Sequence, residues 1–424
     1  MNVTDREYAL ELDRNDPLAH FKSQFVVSDP QMCYLDGNSL GRLPKATVAA
    51  INSFMVDEWG PEVVTGWSHW VDEAQPTGDL LGAAALGAGP GQVLVCDTTS
   101  INFYQLCLAA INARPGRKTI ITDAANFPTD RYILDGIAKQ LGLNLVIINN
   151  EDPAIAVHER ITTEVLAPYL NNDVALVTLE VIQYRSGART DIKSITDQVR
   201  AIGGLVVWDA SHAVGAIELN LDANGVDLCV GCTYKYGNSG PGSPAWLYVS
   251  TKIQDQLQVP IQGWFAQEAQ FEMGPVFERA TGIRGFQIAS PSLMGIRCVQ
   301  TALSMIQEAG IDVIAKKAAI GTQMMIELFD AWLAPLGLEL NTSRLSHERG
   351  GHISLVHPDA AQICIALRQF SYVIPDYRTP NSIRLAISPL PTSYVEIWDG
   401  FERMRDLVAS GRYKEVEEGG SRVT

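Results

Sequence analysis

No stretch of this 424-residue chain approaches the roughly 18 consecutive apolar residues that a membrane-spanning helix requires. The opening residues Met1-Asn2-Val3-Thr4-Asp5-Arg6 run into polar and acidic sequence without an apolar core, so a secretory leader is not expected. Basic charge is also scarce. Thirty-two Lys and Arg stand against 48 Asp and Glu, and the net charge of -16 argues against nonspecific nucleic-acid binding and against an anionic membrane surface. An anionic ligand must therefore be held by local donors. Seven cysteines, an odd number scattered through apolar segments, fit a reduced cytoplasmic protein better than a disulfide framework. The one Cys-x-x-Cys pair, Cys229 and Cys232, has no second pair and lies in a strand-like run, where residues three apart point to opposite faces; both read as core. The seven histidines include no His-Glu-x-x-His spacing, and no metal is expected. Neither a Walker lysine motif nor a Gly-x-Gly-x-x-Gly fingerprint is present, which weakens the case for a nucleotide.

What the chain does have is a length that suggests two or more domains, and a balance of 46% apolar to 19% charged residues that suits a globular core. Seven short apolar runs stand out: Val93 to Asp97, Thr119 to Asp123, Asn144 to Asn149, Val174 to Glu180, Leu205 to Asp209, Leu228 to Cys232 and Trp246 to Ser250. Most are separated by stretches of helical periodicity, such as Ile101 to Ala113, Asp130 to Leu141 and Ile192 to Ile202. The alternation predicts an α/β fold: a mostly parallel seven-stranded sheet flanked by helices, with ligands at the carboxyl ends of its strands. A long connector helix, Leu293 to Ala309, a helix from Lys316 to Leu333, strands at His352 to His357 and Ile383 to Ser388, and a helix from Tyr394 to Ala409 predict a smaller α+β C-terminal domain. The expected division is 1–45 as an N-terminal segment packing on the small domain, 46–292 as the large domain, and 293–424 as connector and small domain. The tail Glu415 to Thr424 is expected to fray.

Four strand ends carry polar residues suited to a site: Asp97 to Ser100, Asp123 with Asn126 to Asp130, Glu180 with Tyr184 to Gly187, and Asp209-Ala210-Ser211-His212. Tyr234-Lys235-Tyr236 follows one strand and precedes a glycine-rich turn, 26 residues after Asp209 ends another. A lysine so placed suits Schiff-base chemistry with pyridoxal phosphate, and a carboxylate such as Asp209 suits the cofactor's pyridine nitrogen. Thr98, Thr99 and Ser100 at a strand-to-helix turn suit N-capping or an anion at the helix end; with Ser186 and Tyr234 as further hydroxyls they suggest a phosphate cup. Phe127 reads either as core or as an aromatic face for the ring. Arg384, inside the apolar run Ile383 to Ile387, pairs with a carboxylate, either structural or from a substrate.

These residues resemble the kynureninases, pyridoxal phosphate enzymes of the aspartate aminotransferase fold type. The resemblance is carried by Tyr34 to Gly41, Asp97 to Asn102, Asn126 to Asp130, Trp208 to Gly215 and Gly231 to Tyr236 with its Gly-Pro-Gly turn. It continues at Gly263-Trp264-Phe265, Arg349 to His352, and Asp376-Tyr377-Arg378 with Arg384. It implies hydrolytic Cβ–Cγ cleavage of kynurenine or 3-hydroxykynurenine to anthranilate or 3-hydroxyanthranilate and L-alanine, within tryptophan catabolism and NAD biosynthesis. Alternatives are a diverged relative acting on a modified kynurenine or another γ-oxo amino acid, and a catalytically silent scaffold. By resemblance, Lys235 carries the cofactor; the chemistry itself asks for a base, which the freed lysine supplies, and for a proton at Cβ, for which Tyr234 beside it is suited. By the same resemblance, Asp209 meets the pyridine nitrogen with Asp130 nearby, Phe127 stacks on the ring, and Thr99, Ser100, Ser186, Tyr234 and Trp264 surround the phosphate. Pro128, Thr129, His212 and Ser290 complete the expected cofactor site, and Arg384 with Asn38, Ser39, Trp67 and His69 the substrate site. A homodimer is implied, with the Trp264 and Ser290 segments coming from the neighbouring subunit. The chain departs from the family pattern at Ala266-Gln267, Ala289-Ser290, Pro389-Leu390-Pro391 and Gly66 to Trp70, where substrate recognition is expected.

Overall fold

The computed structural model describes residues 2–416. Its central sheet is built from β1 (Val93–Val95), β2 (Thr119–Asp123), β3 (Asn144–Ile148), β4 (Val174–Glu180), β5 (Leu205–Asp209), β6 (Leu228–Gly231) and β7 (Trp246–Val249), in the spatial order β1-β7-β6-β5-β4-β2-β3. The five strands from β6 to β3 pair in parallel, while β7 runs antiparallel to both neighbours. Every residue of β1, β2 and β4 to β7 is buried, as expected of strands covered on both faces. That double burial is why they read as unbroken apolar runs. Helices α1 (Thr99–Asn112), α2 (Pro128–Leu141) and α3 (Ile192–Ala201) lie within two residues of their predicted limits.

Helix α4 (Leu293–Ala309) is followed after one residue, Gly310, by α5 (Ile311–Leu328). The predicted start of α5 at Lys316 is too late, because Gly310 at φ 79° turns the chain within a single residue and leaves no loop to read. A second sheet holds β8 (Glu339–Leu340), β9 (His352–Val356), β10 (Asp376–Arg378) and β11 (Ser382–Ala386) in the antiparallel order β10-β11-β9-β8. Helices α5 and α6 (Ala360–Phe370), the latter not found by sequence reading, pack on it, and α7 (Tyr394–Ser410) packs on both helices.

Two apolar cores result. The larger surrounds the seven-stranded sheet; the smaller joins α5 to α7 and the second sheet. The first 45 residues divide between them: Ala9, Cys33 and Leu35 enter the smaller core, whereas Leu18, Phe21 and Phe25 enter the larger. Cys33–Tyr34 pairs in parallel with Val373–Ile374, and the Ala386 N-H donates to the Leu35 carbonyl at 2.8 Å. Of the tail expected to fray, Glu415 closes a 3-10 turn and Val416 is buried, and 417–424 lie outside the described residues.

Candidate active site

At the carboxyl edge of the central sheet lies a cavity of about 350 Å³. Its walls are strand ends and the turns that leave them, so each lining side chain is placed by the sheet. Thr98, Thr99 and Ser100 come from the turn between β1 and α1, where the Thr98 hydroxyl accepts the Ile101 N-H at 3.4 Å and fixes the helix end. The remaining first-turn N-H groups have no partner within a helix, which makes this end a donor surface for an anion. Phe127, Thr129 and Asp130 enter from the start of α2, where Pro128 occupies the first helical turn and needs no N-H acceptor. Glu180 and Asp209 end β4 and β5 and are register partners on adjacent parallel strands. Ser211, His212, Tyr234, Lys235 and Ser243 complete the wall.

Lys235 stands between rings. Its Nζ lies 3.1 Å from His212 Nε2, and 5.9 and 6.0 Å from the ring centroids of Phe127 and Tyr234. Burial drives the His212 pKa well below its usual value, with Lys235 the next cause, so the imidazole is neutral and can accept from an ammonium. Phe127 meets Tyr184 edge-on at 5.3 Å, leaving its face toward the lysine. Burial also raises the Tyr234 phenol well above its normal range, so it keeps its proton.

The opposite end is acidic. Asp209 Oδ1 accepts the Ser211 N-H at 2.6 Å. Asp130 is pushed far above the usual carboxylate range, first by burial and then by Asp209, with which it shares a hydrogen bond. Its Oδ2 is enclosed and without a partner. Behind them Asp123, completely buried, is pushed up to about 7 by desolvation against the Asn150 amide donating at 2.9 Å. A cavity with hydroxyls and a helix end on one side, carboxyls on the other and an amine between fits a ligand that carries an anion, a cationic ring and a carbonyl. The orphaned Asp130 oxygen fits the same cation.

Other predicted residues lie elsewhere. Ser186 is not brought to the cavity: its hydroxyl donates to the His158 carbonyl at 2.7 Å and accepts the Ala188 N-H, so the expected third phosphate hydroxyl is occupied in holding its own turn. Arg384 is buried beside the site but does not line it. Its guanidinium is shared among Asp376, the Tyr184 carbonyl and Ser39 Oγ, the last at 3.0 Å. The carboxylate partner that the apolar run demanded is thus internal. Asn38 is fully buried with both amide atoms unpartnered. Trp67 and His69 sit on the exposed helical face, where His69 Nε2 meets Glu62 at 2.8 Å. Trp264 and Ser290 are exposed too and do not line this cavity. Glu180 and Ser211, expected at polar strand ends but given no role there, line it, and so does Ser243, which the sequence did not single out.

A family profile described as "Kynureninase C-terminal domain" matches residues 314–404. The chain is 34% identical over 418 residues to the kynureninase of Burkholderia pseudomallei (strain 1106a), covering 97% of each, and 33% identical over 412 residues to that of Pseudomonas fluorescens, covering 96% of each. Among solved structures, the apo cysteine desulfurase of Thermococcus onnurineus NA1 superposes with a TM-score of 0.76 at 16% identity, over 94% of this chain and 98% of that one. A C-DES mutant with glycine covalently linked to its PLP cofactor gives 0.74 at 16%, over 97% and 100%. At such identities the structures establish the shared fold.

Proposed function

The chain belongs to the kynureninase family, and on that premise we propose that it is a pyridoxal phosphate enzyme that hydrolyses the Cβ–Cγ bond of kynurenine or 3-hydroxykynurenine, releasing L-alanine and anthranilate or 3-hydroxyanthranilate. The observation that carries this reading is Lys235 Nζ within a cavity that has hydroxyls and a helix end on one side and Asp209 and Asp130 on the other. When bound, the cofactor supplies an aldehyde for a lysine amine and an electron-withdrawing ring that acidifies the substrate's Cα and Cβ.

The residues divide the remaining work. Thr99, Ser100 and the α1 terminus hold the phosphate, Thr129 and Pro128 shape the turn beside it, Phe127 covers the ring, and Asp209 pairs with the pyridine nitrogen, with Asp130 behind. Lys235 removes the Cα proton once its amine is free, with neutral His212 as its neighbour. Tyr234, which burial keeps protonated, delivers a proton at Cβ. Arg384 holds the substrate's α-carboxylate beside Ser39 and Asn38, and its fork must then be shared with Asp376. Trp67 and His69 serve the aromatic end.

The same reading makes the protein a homodimer, with Trp264 and Ser290 acting in the partner's site. Support comes from two groups of exposed apolar side chains: Val56, Trp59, Val63 and Val64 in one helical segment, and Trp264 with Phe271, whose ring centroids lie 5.8 Å apart. Seven free thiols, none bridged, support a reducing compartment. No helix among the described residues is long and apolar enough to cross a membrane.

The purified protein, loaded with pyridoxal phosphate and given kynurenine or 3-hydroxykynurenine, is expected to release alanine and the matching aromatic acid in equal amounts. Borohydride reduction followed by peptide mapping is expected to label Lys235. Alanine from neither compound overturns the reaction, and a label on another lysine overturns the site.

A further inference from the structure

Glu180 is the carboxyl of the cavity for which the proposed reaction has no use. It is 2% exposed, ends β4, and faces Asp209 across one strand spacing, about 4.8 Å in a parallel pair. Two N-H donors converge on one of its oxygens. Oε2 accepts the Tyr184 N-H at 3.1 Å and, with the Gln183 amide turned so that both its ends are satisfied, the Gln183 Nε2 at 2.9 Å. Oε1 has no hydrogen-bond partner among the described residues, yet it is not among the enclosed orphan atoms, so it is the oxygen that opens on the cavity.

The charges around this group are one-sided. Asp209 on β5, Asp123 on β2 and Asp130 on α2 all face it, and the cation of the cavity, Lys235, is engaged with His212 on the far side of Asp209. The two N-H donors favour a carboxylate, whereas burial and three acidic neighbours favour a neutral acid. Burial is the largest effect and Asp209 the next, and the Glu180 pKa rises well above the ordinary range.

Strand order then says which part of the cofactor Glu180 can meet. The hydroxyls of Thr99, Ser100 and Tyr234 belong to the β1-β7-β6 side of β5, and Glu180 belongs to β4 on the other side. With the pyridine nitrogen at Asp209, the ring carries its phosphate arm on one flank and its phenolic oxygen on the other. A phosphate directed toward β1 therefore turns the phenolic oxygen toward β4.

We propose that Glu180 is a neutral carboxylic acid in the loaded protein and that its Oε1 hydroxyl donates a hydrogen bond to the ring oxygen of pyridoxal phosphate. The inference rests on the cofactor reading above. Glu180 is a positioning residue in this role: it fixes the ring in plane and stabilises negative charge on that oxygen, which makes the cofactor–lysine linkage lose its proton at lower pH.

Glutamine reproduces the neutral acid, because its carbonyl can accept from Tyr184 and Gln183 while its NH2 donates into the cavity; alanine removes the donor. The test is a pH titration of the visible absorption band of the cofactor bound to the wild type, Glu180→Gln and Glu180→Ala, together with the cofactor dissociation constant by equilibrium dialysis. Glu180→Gln is expected to keep the midpoint and an affinity near wild type. Glu180→Ala is expected to raise the midpoint by about one pH unit, which corresponds to loss of one hydrogen bond to a charged group, and to weaken binding about tenfold. If Glu180→Gln shifts the midpoint as far as Glu180→Ala, or if Glu180→Ala shifts neither quantity, the proposal is wrong. A wild-type protein that develops no such band overturns the cofactor reading instead, so the two failures are distinguishable.

Discussion

Asp123 shows what a buried carboxyl does to a protein that keeps it. In the folded state its pKa is pushed up to about 7, whereas an unfolded aspartate titrates near 3.9, so between about pH 4 and pH 7 the folded state binds the extra proton. Stability therefore falls as pH rises through that window and levels off above it. Asp123→Asn removes the titration while still presenting an oxygen to the Asn150 amide. Relative to wild type, the variant is expected to gain stability on the order of a few kcal/mol at pH 8 and little at pH 4. Urea denaturation at both pH values measures the difference; an equal change at both would show that Asp123 does not titrate. The same arithmetic explains why the residue was hard to weigh from sequence. Asp123 and Asp209 end strands alike, and only the neighbours brought by other elements separate a carboxyl that faces the cavity from one that lies behind it.

For whole elements, the helix proposed to meet the phosphate is capped by one side chain. Thr98 accepts the Ile101 N-H and sets the first turn of α1. Thr98→Ala is expected to lower stability by about 1 kcal/mol, and Thr98→Ser to restore most of it, as read by urea midpoints. Elements of this kind were legible because their signals are local. Six of the seven central strands are buried throughout and therefore show as continuous apolar runs, and α1 to α3 carry their caps or helical period within the segment itself. The misses have non-local causes. Helix α6 is interrupted by no turn signal of its own, and its buried Ile363, Cys364 and Leu367 gain meaning only from the core they enter. Arg384 was legible as an anomaly but not as an answer, since Asp376 lies on the neighbouring strand and Ser39 is 345 residues away. Ser186 was read by residue type, and its hydroxyl proved to be used by the backbone around it.

For the molecule as a whole, the exposed apolar side chains of the helical segment that precedes Trp67 bear on the proposed dimer. Val64 is 73% exposed and Trp59 53%, values a solvated surface seldom gathers in one helical segment. Sedimentation is expected to give twice the chain mass, and Val64→Glu to give the single chain. Because Trp264 and Ser290 are proposed to act in the partner's site, the monomeric variant is expected to bind pyridoxal phosphate about tenfold more weakly, a loss near 1.4 kcal/mol. A monomer with undiminished affinity would show that each subunit holds the cofactor alone.

The pairing of the chain's beginning with its end has a temporal meaning. Cys33 and Leu35 donate to the carbonyls of Tyr372 and Ile374, and the Gly41 N-H donates to the carbonyl of Tyr234, next to the lysine. During synthesis the stretch from Cys33 to Leu35 therefore waits for a strand made more than three hundred residues later, the kind of distant closure that slows folding. A nascent chain halted before Val373 can complete the sheet that carries Lys235 but cannot seat Ser39 against Arg384, so arrest at that point leaves the proposed substrate clamp unbuilt beside a finished cavity.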